Sequence, residues 1–465
     1  HRSLSVNLAS PAKTLKTTAN HKKSFSCHRH TEYIDCLTRL KLYTSAIYLL
    51  FDAEPLNMRE KPAVLSPDQL AAINAPIENA RSLPAESYIS TAFFEAERER
   101  VFSRHWVSAL FDFDVAEPGQ VLPFELCGMP LLAIRGLDGQ LRVFHNVVPY
   151  DGCLAVIEPA SELREIVTPY HGWVYDLDGR LQAAPFWDGT LRRDQRPDGV
   201  PATDLVEVHC EIYLYTVFIN LSKQPMPFVD YIAPIARQFS DYDFSDVAVA
   251  LDRSGQPIAP RAVTHCNWKI FFDIDGPNVL HESFVHRAYS ESPAHPRVTP
   301  EGDKNYREII DGYMIGLGFN YSNFTKTYGA VDPAEQHLGA DGQLPDQAGY
   351  VDLYPAMSFS IAPTYIEIGI NLPDGVGRTI DRRVYLLPSA AVTPENAAKH
   401  EKVYGFHGEV APEDNRISEA VQKGARAIPE SSGPSDASGF QPSVVLDCPT
   451  DAELMAGDHF GPVVA

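Results

Sequence analysis

Two histidines, His281 and His286, stand five residues apart, shortly after the apolar stretch that begins at Asn267-Trp268-Lys269. Neutral imidazole is a good ligand for iron, zinc or copper, and two imidazoles with one carboxylate form a facial iron site. On a regular helix this pair would lie about 140° apart, at roughly 100° per residue. Both rings could therefore face one metal only where the helix is locally unwound or bulged. The spacing alone favours the alternative interpretation, a pair of surface or capping histidines.

The overall composition limits the classes of protein to consider. The 465 residues are enough for two or three domains with cores of their own. The net charge of −22 argues against nucleic acid and against an anionic membrane surface as partners. The seven cysteines are scattered and never in C-x-x-C spacing, which indicates reduced thiols and a cytoplasmic protein. The longest apolar run near the start is too short to span a bilayer.

Residues 1–57 differ from the rest of the chain. They hold 8 Lys and Arg against 4 Asp and Glu, a net +4, whereas the remainder carries a net −26. The first methionine is Met58, and the helix start Ser66-Pro67-Asp68 follows it closely. We interpret residues 1–57 as a leader that is not native or is disordered. A transit peptide, which would also be basic and Ser-rich, is the competing interpretation.

Short apolar runs separated by turn dipeptides such as Cys127-Gly128 and Asp178-Gly179 begin after Trp106. This pattern predicts a small antiparallel β domain over residues 107–225, whose last strand covers Ile212 to Asn220. Before it, residues 58–106 predict an N-terminal helical segment that packs on a catalytic domain, with a helix from about Thr91 to Phe102.

Helical patches follow Pro225, and residues 226–465 are interpreted as that catalytic domain. A second strand-rich region is predicted from Tyr354 to Leu387, and a helix near residues 412–426. The stretch from Thr325 to Gly349 is rich in Gly, Asp and Pro and predicts a long loop.

Several motifs, in their order and spacing along the chain, together resemble the large (alpha) subunit of Rieske-type aromatic-ring-hydroxylating oxygenases. They are Leu83-Pro84-Ala85-Glu86-x-Tyr88, Glu97-Arg98-Glu99-Arg100-Val101-Phe102, Asn146-Val147, Pro169-Tyr170-His171-Gly172-Trp173 and Asn267-Trp268-Lys269. The resemblance implies an α+β fold: an antiparallel β domain for a 2Fe-2S Rieske cluster, and a catalytic domain with an antiparallel sheet flanked by helices and one Fe(II). It also implies a trimer, or a hexamer built on trimers, in which electrons pass from one subunit's cluster to its neighbour's iron.

The positions that hold the cluster in this family have changed. The family pattern is C-x-H followed by C-x-x-H, and here the four positions are Val148, Tyr150, Thr168 and His171. A Rieske cluster needs two thiolates and two imidazoles, and only His171 is kept. Cys153 is nearby but at a non-ligand position. We predict that the 2Fe-2S cluster is absent, that Tyr150 and Thr168 fill its place by bonding to each other or to backbone, and that His171 is a leftover core or interface histidine.

The resemblance assigns His281 and His286 as iron ligands. It places the third ligand in the stretch Glu413 to Gly424, where Asp414 is the predicted carboxylate and Glu413 the alternative. A purely structural interpretation is that both acidic residues favour a helix N-terminus through the helix dipole.

A further change affects the predicted electron route. Three residues before the first histidine the family usually has an Asp that links the cluster to the iron across the subunit boundary, and here that position is Asn278. Asn forms hydrogen bonds but carries no charge. The neighbouring family Tyr and Asn are Leu280 and Ile274. The electron entry is therefore altered while the metal ligands are kept.

The first hypothesis is thus an oxygenase with one Fe(II) per chain that hydroxylates or demethylates a small aromatic or other organic substrate with O2. A separate reductase, or a cluster-bearing subunit in a mixed trimer, would supply its electrons. A second hypothesis is a catalytically silent alpha-like subunit that scaffolds or regulates an active oxygenase, and a third is redox-neutral metal chemistry. The candidate lining of an apolar pocket is aromatic: Tyr313, Phe319, Tyr321, Phe324 and Tyr365.

Overall fold

The computed structural model describes residues 65–75, 79, 81–187, 189, 191, 196, 199–200, 203–275, 285, 306–321, 337–340 and 342–427. Of residues 273–275 and 402–410 it describes the backbone alone. The interpretation of residues 1–57 as a leader lies outside the described residues.

The first β region consists of two antiparallel sheets. The larger has six strands in the order β1-β9-β8-β4-β3-β2: β1 Val107–Phe111, β2 Val121–Leu126, β3 Met129–Arg135, β4 Leu141–His145, β8 Glu207–Tyr213 and β9 Thr216–Asn220. The smaller has three short strands in chain order: β5 Ile166–Val167, β6 Val174–Tyr175 and β7 Leu181–Ala183. The predicted last strand is two strands, β8 and β9, because Leu214 and Tyr215 both adopt positive φ and turn the chain between them.

The second β region is a large antiparallel sheet in the order β10-β17-β16-β15-β14-β13-β12, with β11 also paired to β17. Its strands are β10 Val247–Val249, β11 Arg261–Thr264, β12 Arg307–Asp311, β13 Met314–Asn320, β14 Gln347–Leu353, β15 Met357–Ala362, β16 Tyr365–Pro373 and β17 Thr379–Pro388. The strands begin well before the predicted start at Tyr354, and part of the predicted loop at 325–349 belongs to β14. The predicted α+β class with antiparallel sheets and helices is confirmed.

Five α-helices accompany these sheets in the described part of the chain: α1 Pro67–Ile73, α2 Thr91–Glu97, α3 Phe228–Gln238, α4 Trp268–Asp275 and α5 Ala397–Ala427. The predicted start of α1 is confirmed by a capping box, in which Ser66 and Gln69 bond reciprocally. Helix α2 continues as a π-helical turn over Arg98–Phe102, so the predicted helix near 91–102 is also correct. None of the helices in the described residues is long and apolar enough to cross a membrane.

The two faces of the large sheet differ, because side chains alternate along each strand. One face is apolar: Ile366, Ile368 and Ile370 of β16 pack in a core with Tyr231 and Ile235 of α3. The other face is turned toward α4, which packs on β16.

The N-terminal segment packs against the start of α4 and the end of α5. A buried cluster joins Tyr88 and Phe93 to Cys266 and Ile270, with Ile417 of α5 beside it. This contact joins the N-terminal segment to α4 and α5. The packing of residues 58–106 on a catalytic domain, like the domain boundaries at 107 and 226, stays a prediction.

Two buried histidines should make the fold sensitive to mild acid. Burial, assisted by the nearby Arg104 charge, lowers the pKa of His105 to about 4, and burial lowers the pKa of His145 to about 4. The unfolded chain therefore binds more protons than the folded one between pH 4 and the ordinary value of 6.5, so stability falls as the pH falls through that window. We expect each histidine to cost about 2 kcal/mol between pH 7 and pH 5. Urea unfolding at the two pH values measures this loss.

The matched variants for this prediction are His105→Gln, which should reduce the pH dependence, and His209→Gln, which replaces an exposed histidine and serves as the control. An equal pH dependence in all three proteins would contradict the assignment to His105.

Candidate metal centre

Asp414, the predicted carboxylate ligand, lies in the middle of α5. The helix begins at Ala397, so Asp414 is far from its N-terminus, and the helix-dipole explanation of Glu413 and Asp414 is wrong. The predicted helix near 412–426 is the second half of this longer helix. Asp414 is partly buried, and its Oδ1 atom is out of contact with solvent.

One face of α5 is bonded to the chain segment that precedes α4. The Thr264 hydroxyl donates to Asn415 Oδ1 at 2.6 Å, and the His265 amide donates to Glu419 Oε1 at 3.3 Å. The Asn267 amide donates to Gln422 Oε1 at 2.6 Å. We call these three contacts the α5 seam. Its residues on α5 are spaced by four and three positions, which places them on one side of the helix.

Helix α4 begins with a buried polar network. The Lys269 ammonium donates to Glu97 Oε1 at 2.5 Å, to the Ser87 carbonyl at 3.0 Å and to Asn267 Oδ1 at 2.8 Å. The Trp268 indole N–H donates to the other oxygen of Glu97 at 3.2 Å. A buried ammonium needs such partners, because an isolated buried charge is costly. The network ties α4, and so the chain leading to the two histidines, to the N-terminal segment.

Most of the predicted site lies outside the described residues: His281, His286, Asn278 and Leu280. Of Ile274 the backbone alone is described, at the end of α4. No group of three or more His, Cys, Asp or Glu side chains suited to a metal ion occurs within the described part of the chain, which contains a single predicted ligand, Asp414.

The predicted donor set would suit Fe(II). Two neutral imidazoles and one carboxylate on a face leave coordination positions open, and the shielded oxygen of Asp414 offers a hard anionic ligand. His281, His286 and Asp414 would hold the ion, and when bound it would supply the O2 and one-electron chemistry that protein side chains lack.

The face of the large sheet turned toward α4 carries buried charges. Asp352, Glu367 and Asp381 are buried there, and Arg383 donates to both Glu367 Oε1 and Asp381 Oδ2. The Arg383 guanidinium also lies 6.0 Å from the centre of the Phe271 ring of α4. This cluster was not predicted from the sequence, although polar residues at every second position of β16 and β17 indicate it.

Several aromatic side chains share that face: Phe319, Tyr350, Tyr365 and Tyr385. Burial, together with the charge of Glu367, raises the pKa of Tyr365, so its hydroxyl stays protonated. Phe319 and Tyr365 of the predicted pocket lining therefore lie on this face, and their lining of a pocket stays a prediction. Tyr313 is on the opposite side, beside His105 and Tyr231, because it precedes β13 in the turn next to α3. Phe324 is outside the described residues.

At the Rieske ligand positions, two of the four side chains are built into the core. Val148 is fully buried among the apolar residues of the β region, beside Leu132 and Trp173. Thr168 is buried, and its hydroxyl oxygen accepts from the Trp173 amide at 3.0 Å. This bond to backbone is one of the predicted substitutes for metal ligation.

Tyr150 and His171 occupy the exposed end of the same region. Tyr150 stacks on Trp173 with ring centres 4.4 Å apart, and Trp187 meets it edge-on at 5.6 Å. His171 Nδ1 lies 2.6 Å from Asp151 Oδ2. His171 is 40 % exposed, so the core alternative of its predicted role is wrong, and the interface alternative stays a prediction. Tyr150 pairs with the tryptophans and not with Thr168.

The donor atoms at these four positions do not fit a Rieske cluster. Val148 has no donor atom, the Thr168 oxygen accepts from the backbone, and Tyr150 offers a phenol oxygen in place of an imidazole nitrogen. One imidazole cannot replace two thiolates and two imidazoles.

Two family models match the chain. The model described as ring hydroxylating alpha subunit (catalytic domain) matches residues 250–450, and the model described as Rieske [2Fe-2S] domain matches residues 105–192.

Similar curated proteins include the carnitine monooxygenase oxygenase subunit of Escherichia coli, which is 25% identical over 369 residues, covering 78% of this chain and 90% of that protein. The glycine betaine monooxygenase oxygenase subunit of Pseudomonas aeruginosa is 27% identical over 196 residues, covering 42% of this chain and 43% of that protein.

Solved structures share the fold. A quaternary ammonium Rieske monooxygenase superposes with a TM-score of 0.63 at 19% identity, covering 84% of this chain and 98% of that one. A variant of naphthalene 1,2-dioxygenase superposes with a TM-score of 0.62 at 15% identity, covering 83% of this chain and 96% of that one.

Proposed function

Because the chain belongs to the Rieske-type ring-hydroxylating oxygenases, as a relative of their alpha subunits, we propose that it is an Fe(II)-dependent oxygenase of small organic cations. His281, His286 and Asp414 are the proposed ligands of one iron per chain. The observation that carries the proposal is the placement of Asp414: a shielded carboxylate in the middle of a helix whose rotation is held by the α5 seam.

The proposed substrate is a quaternary ammonium compound or a similar small cation. The sequence relatives are named for carnitine and glycine betaine, and this argues against the aromatic substrate that the resemblance first implied. The sheet face turned toward α4 also favours a cation over an anion, because it carries three buried carboxylates against the single guanidinium of Arg383, beside aromatic rings. A cation over an aromatic ring gains on the order of 1 kcal/mol, and more when desolvated.

We propose further that this chain binds no 2Fe-2S cluster and takes its electrons from elsewhere, either from a separate reductase or from a cluster-bearing subunit. The support is the chemistry of Val148, Tyr150 and Thr168, which the match to the Rieske model does not alter. Assembly as a homo- or hetero-trimer or hexamer, and a cytoplasmic location, remain predictions.

Iron analysis with electron paramagnetic resonance tests both parts. The purified chain, reconstituted anaerobically with Fe(II), is expected to hold about one iron. After reduction with dithionite it should give no Rieske signal, because only one of four cluster ligands is present. A chain that holds no iron would reject the oxygenase proposal, and a Rieske signal would reject the absence of the cluster.

A matched variant provides the positive control for the missing Rieske signal. The triple substitution Val148→Cys, Tyr150→His and Thr168→Cys restores the family ligand set around His171. If the scaffold persists, reconstitution of this variant with iron and sulfide should produce the Rieske signal that the unmodified chain lacks.

The changed ligand positions also favour a second candidate, a silent alpha-like subunit that assembles with an active one. The two candidates differ in iron content and in turnover. A silent subunit would bind no iron and would show no substrate-dependent O2 consumption with any electron donor, yet would co-purify with an intact alpha subunit.

A further inference from the structure

The α5 seam joins the two parts of the chain that would deliver metal ligands. On one side, residues 264–267 lead directly into α4 and so toward His281. On the other, Asn415, Glu419 and Gln422 lie on the helix that carries Asp414. The two segments run in the same direction along the seam, because residues 264, 265 and 267 pair with residues 415, 419 and 422 in that order. The seam therefore fixes both the rotation of α5 about its axis and its position along that axis relative to the start of α4.

Gln422 is the junction of the seam. Its side chain is 1 % exposed, and it forms a second bond in which Nε2 donates to the Tyr88 carbonyl at 3.2 Å. Its partner Asn267 is fully buried and accepts from Lys269. Gln422 therefore connects α5 at once to the start of α4 and to the N-terminal segment.

Gln422 cannot itself be a ligand of the proposed iron. It stands eight residues after Asp414, a rise of about 12 Å along the helix. Any effect of Gln422 on metal binding must therefore act through the position of the carboxylate.

We propose that Gln422 is a positioning residue for the metal centre, which holds Asp414 in register with the chain that leads to the two histidines. This inference rests on the proposed iron site. Residues that orient ligands without touching the metal commonly change metal affinity about 10–100-fold when they are replaced.

The test is the affinity of the full chain for Co2+, a spectroscopic substitute for Fe(II), titrated by its visible absorption. Gln422→Met keeps the length of the side chain but removes both hydrogen bonds, and we expect it to weaken Co2+ binding at least about 10-fold. Gln422→Glu keeps the acceptor for the Asn267 amide but places a carboxylate oxygen against the Tyr88 carbonyl, so it should recover only part of the affinity. Thr264→Val removes the bond to Asn415 without a change in α5, and it should weaken binding in the same direction even if Gln422→Met fails to fold.

Tyr231→Phe is the matched control, because it removes one buried hydrogen bond, to the Tyr354 carbonyl at 2.7 Å, on the opposite face of the large sheet. It should leave Co2+ affinity within about two-fold of the unmodified chain, since it touches no ligand-bearing element. Seam variants with unchanged affinity, or with no greater loss than Tyr231→Phe, would overturn the inference while leaving the iron site intact. If the unmodified chain binds no Co2+ and no Fe(II), the proposed function fails and this inference fails with it.

Discussion

Asp414→Ala is expected to abolish stoichiometric Fe(II) binding. Two imidazoles alone hold a labile divalent ion poorly, and the carboxylate supplies the negative charge of the triad. Its position inside α5 means that Ala, a strong helix former, should leave the helix intact. The measurement is iron per chain after anaerobic reconstitution and gel filtration. His281→Ala should have the same effect.

Glu413→Ala is the natural control, since it removes a neighbouring carboxylate from the same turn. It should retain iron at the level of the unmodified chain. The reverse result, with iron lost in Glu413→Ala and kept in Asp414→Ala, would transfer the ligand assignment to Glu413. Full iron in both variants would remove α5 from the metal site altogether.

The largest loss of stability is expected from Glu97→Ala. Glu97 is fully buried and Lys269 nearly so, and the substitution leaves the ammonium without its anionic partner. Breaking a buried pair on one side costs about 3–5 kcal/mol of the free energy of unfolding. Lys269 keeps its bonds to the Ser87 carbonyl and Asn267, which favours the lower end of this range. Urea unfolding at pH 7 measures the change.

Two further variants separate the buried charge from ordinary packing. Removing both charges, with Glu97→Gln and Lys269→Met together, should cost less than Glu97→Ala, because no unpaired charge remains. Asp311→Ala breaks the surface pair with Arg237 and should cost at most about 1 kcal/mol. A double variant as unstable as Glu97→Ala would contradict the electrostatic explanation.

Local signals predicted the elements that local chemistry determines. The Ser66 cap, the helix from residue 91 and the hairpin turn at Cys127-Gly128 depend on neighbours within a few positions, and each lies where it was predicted. The helix near 412–426 was predicted too short. The apolar pattern of α5 as a whole is weak, so a window of sequence does not locate the start of the helix at Ala397.

The contacts around the candidate site could not be predicted from local sequence either, because they join residues far apart in the chain. Glu97 and Lys269 are 172 positions apart, so neither residue alone indicates the ion pair. Tyr313 and Tyr365 could not be assigned to opposite faces of the sheet before the strand register was known, because a shift of one residue exchanges the faces. The four cluster-ligand positions, by contrast, could be located from a fixed motif in the sequence. The motif could not indicate that Trp187 contacts Tyr150.

The packing of Val148, Tyr150 and Trp173 at the end of the first β region bears on how the domain folds. In a cluster-bearing domain the core is incomplete until iron and sulfide are inserted, so folding depends on metal supply. Here Val148 and the ring of Trp173 already close that core, with Tyr150 stacked over it. On the proposal that this chain binds no 2Fe-2S cluster, we expect the domain to fold without iron–sulfur assembly and to stay folded in the presence of metal chelators.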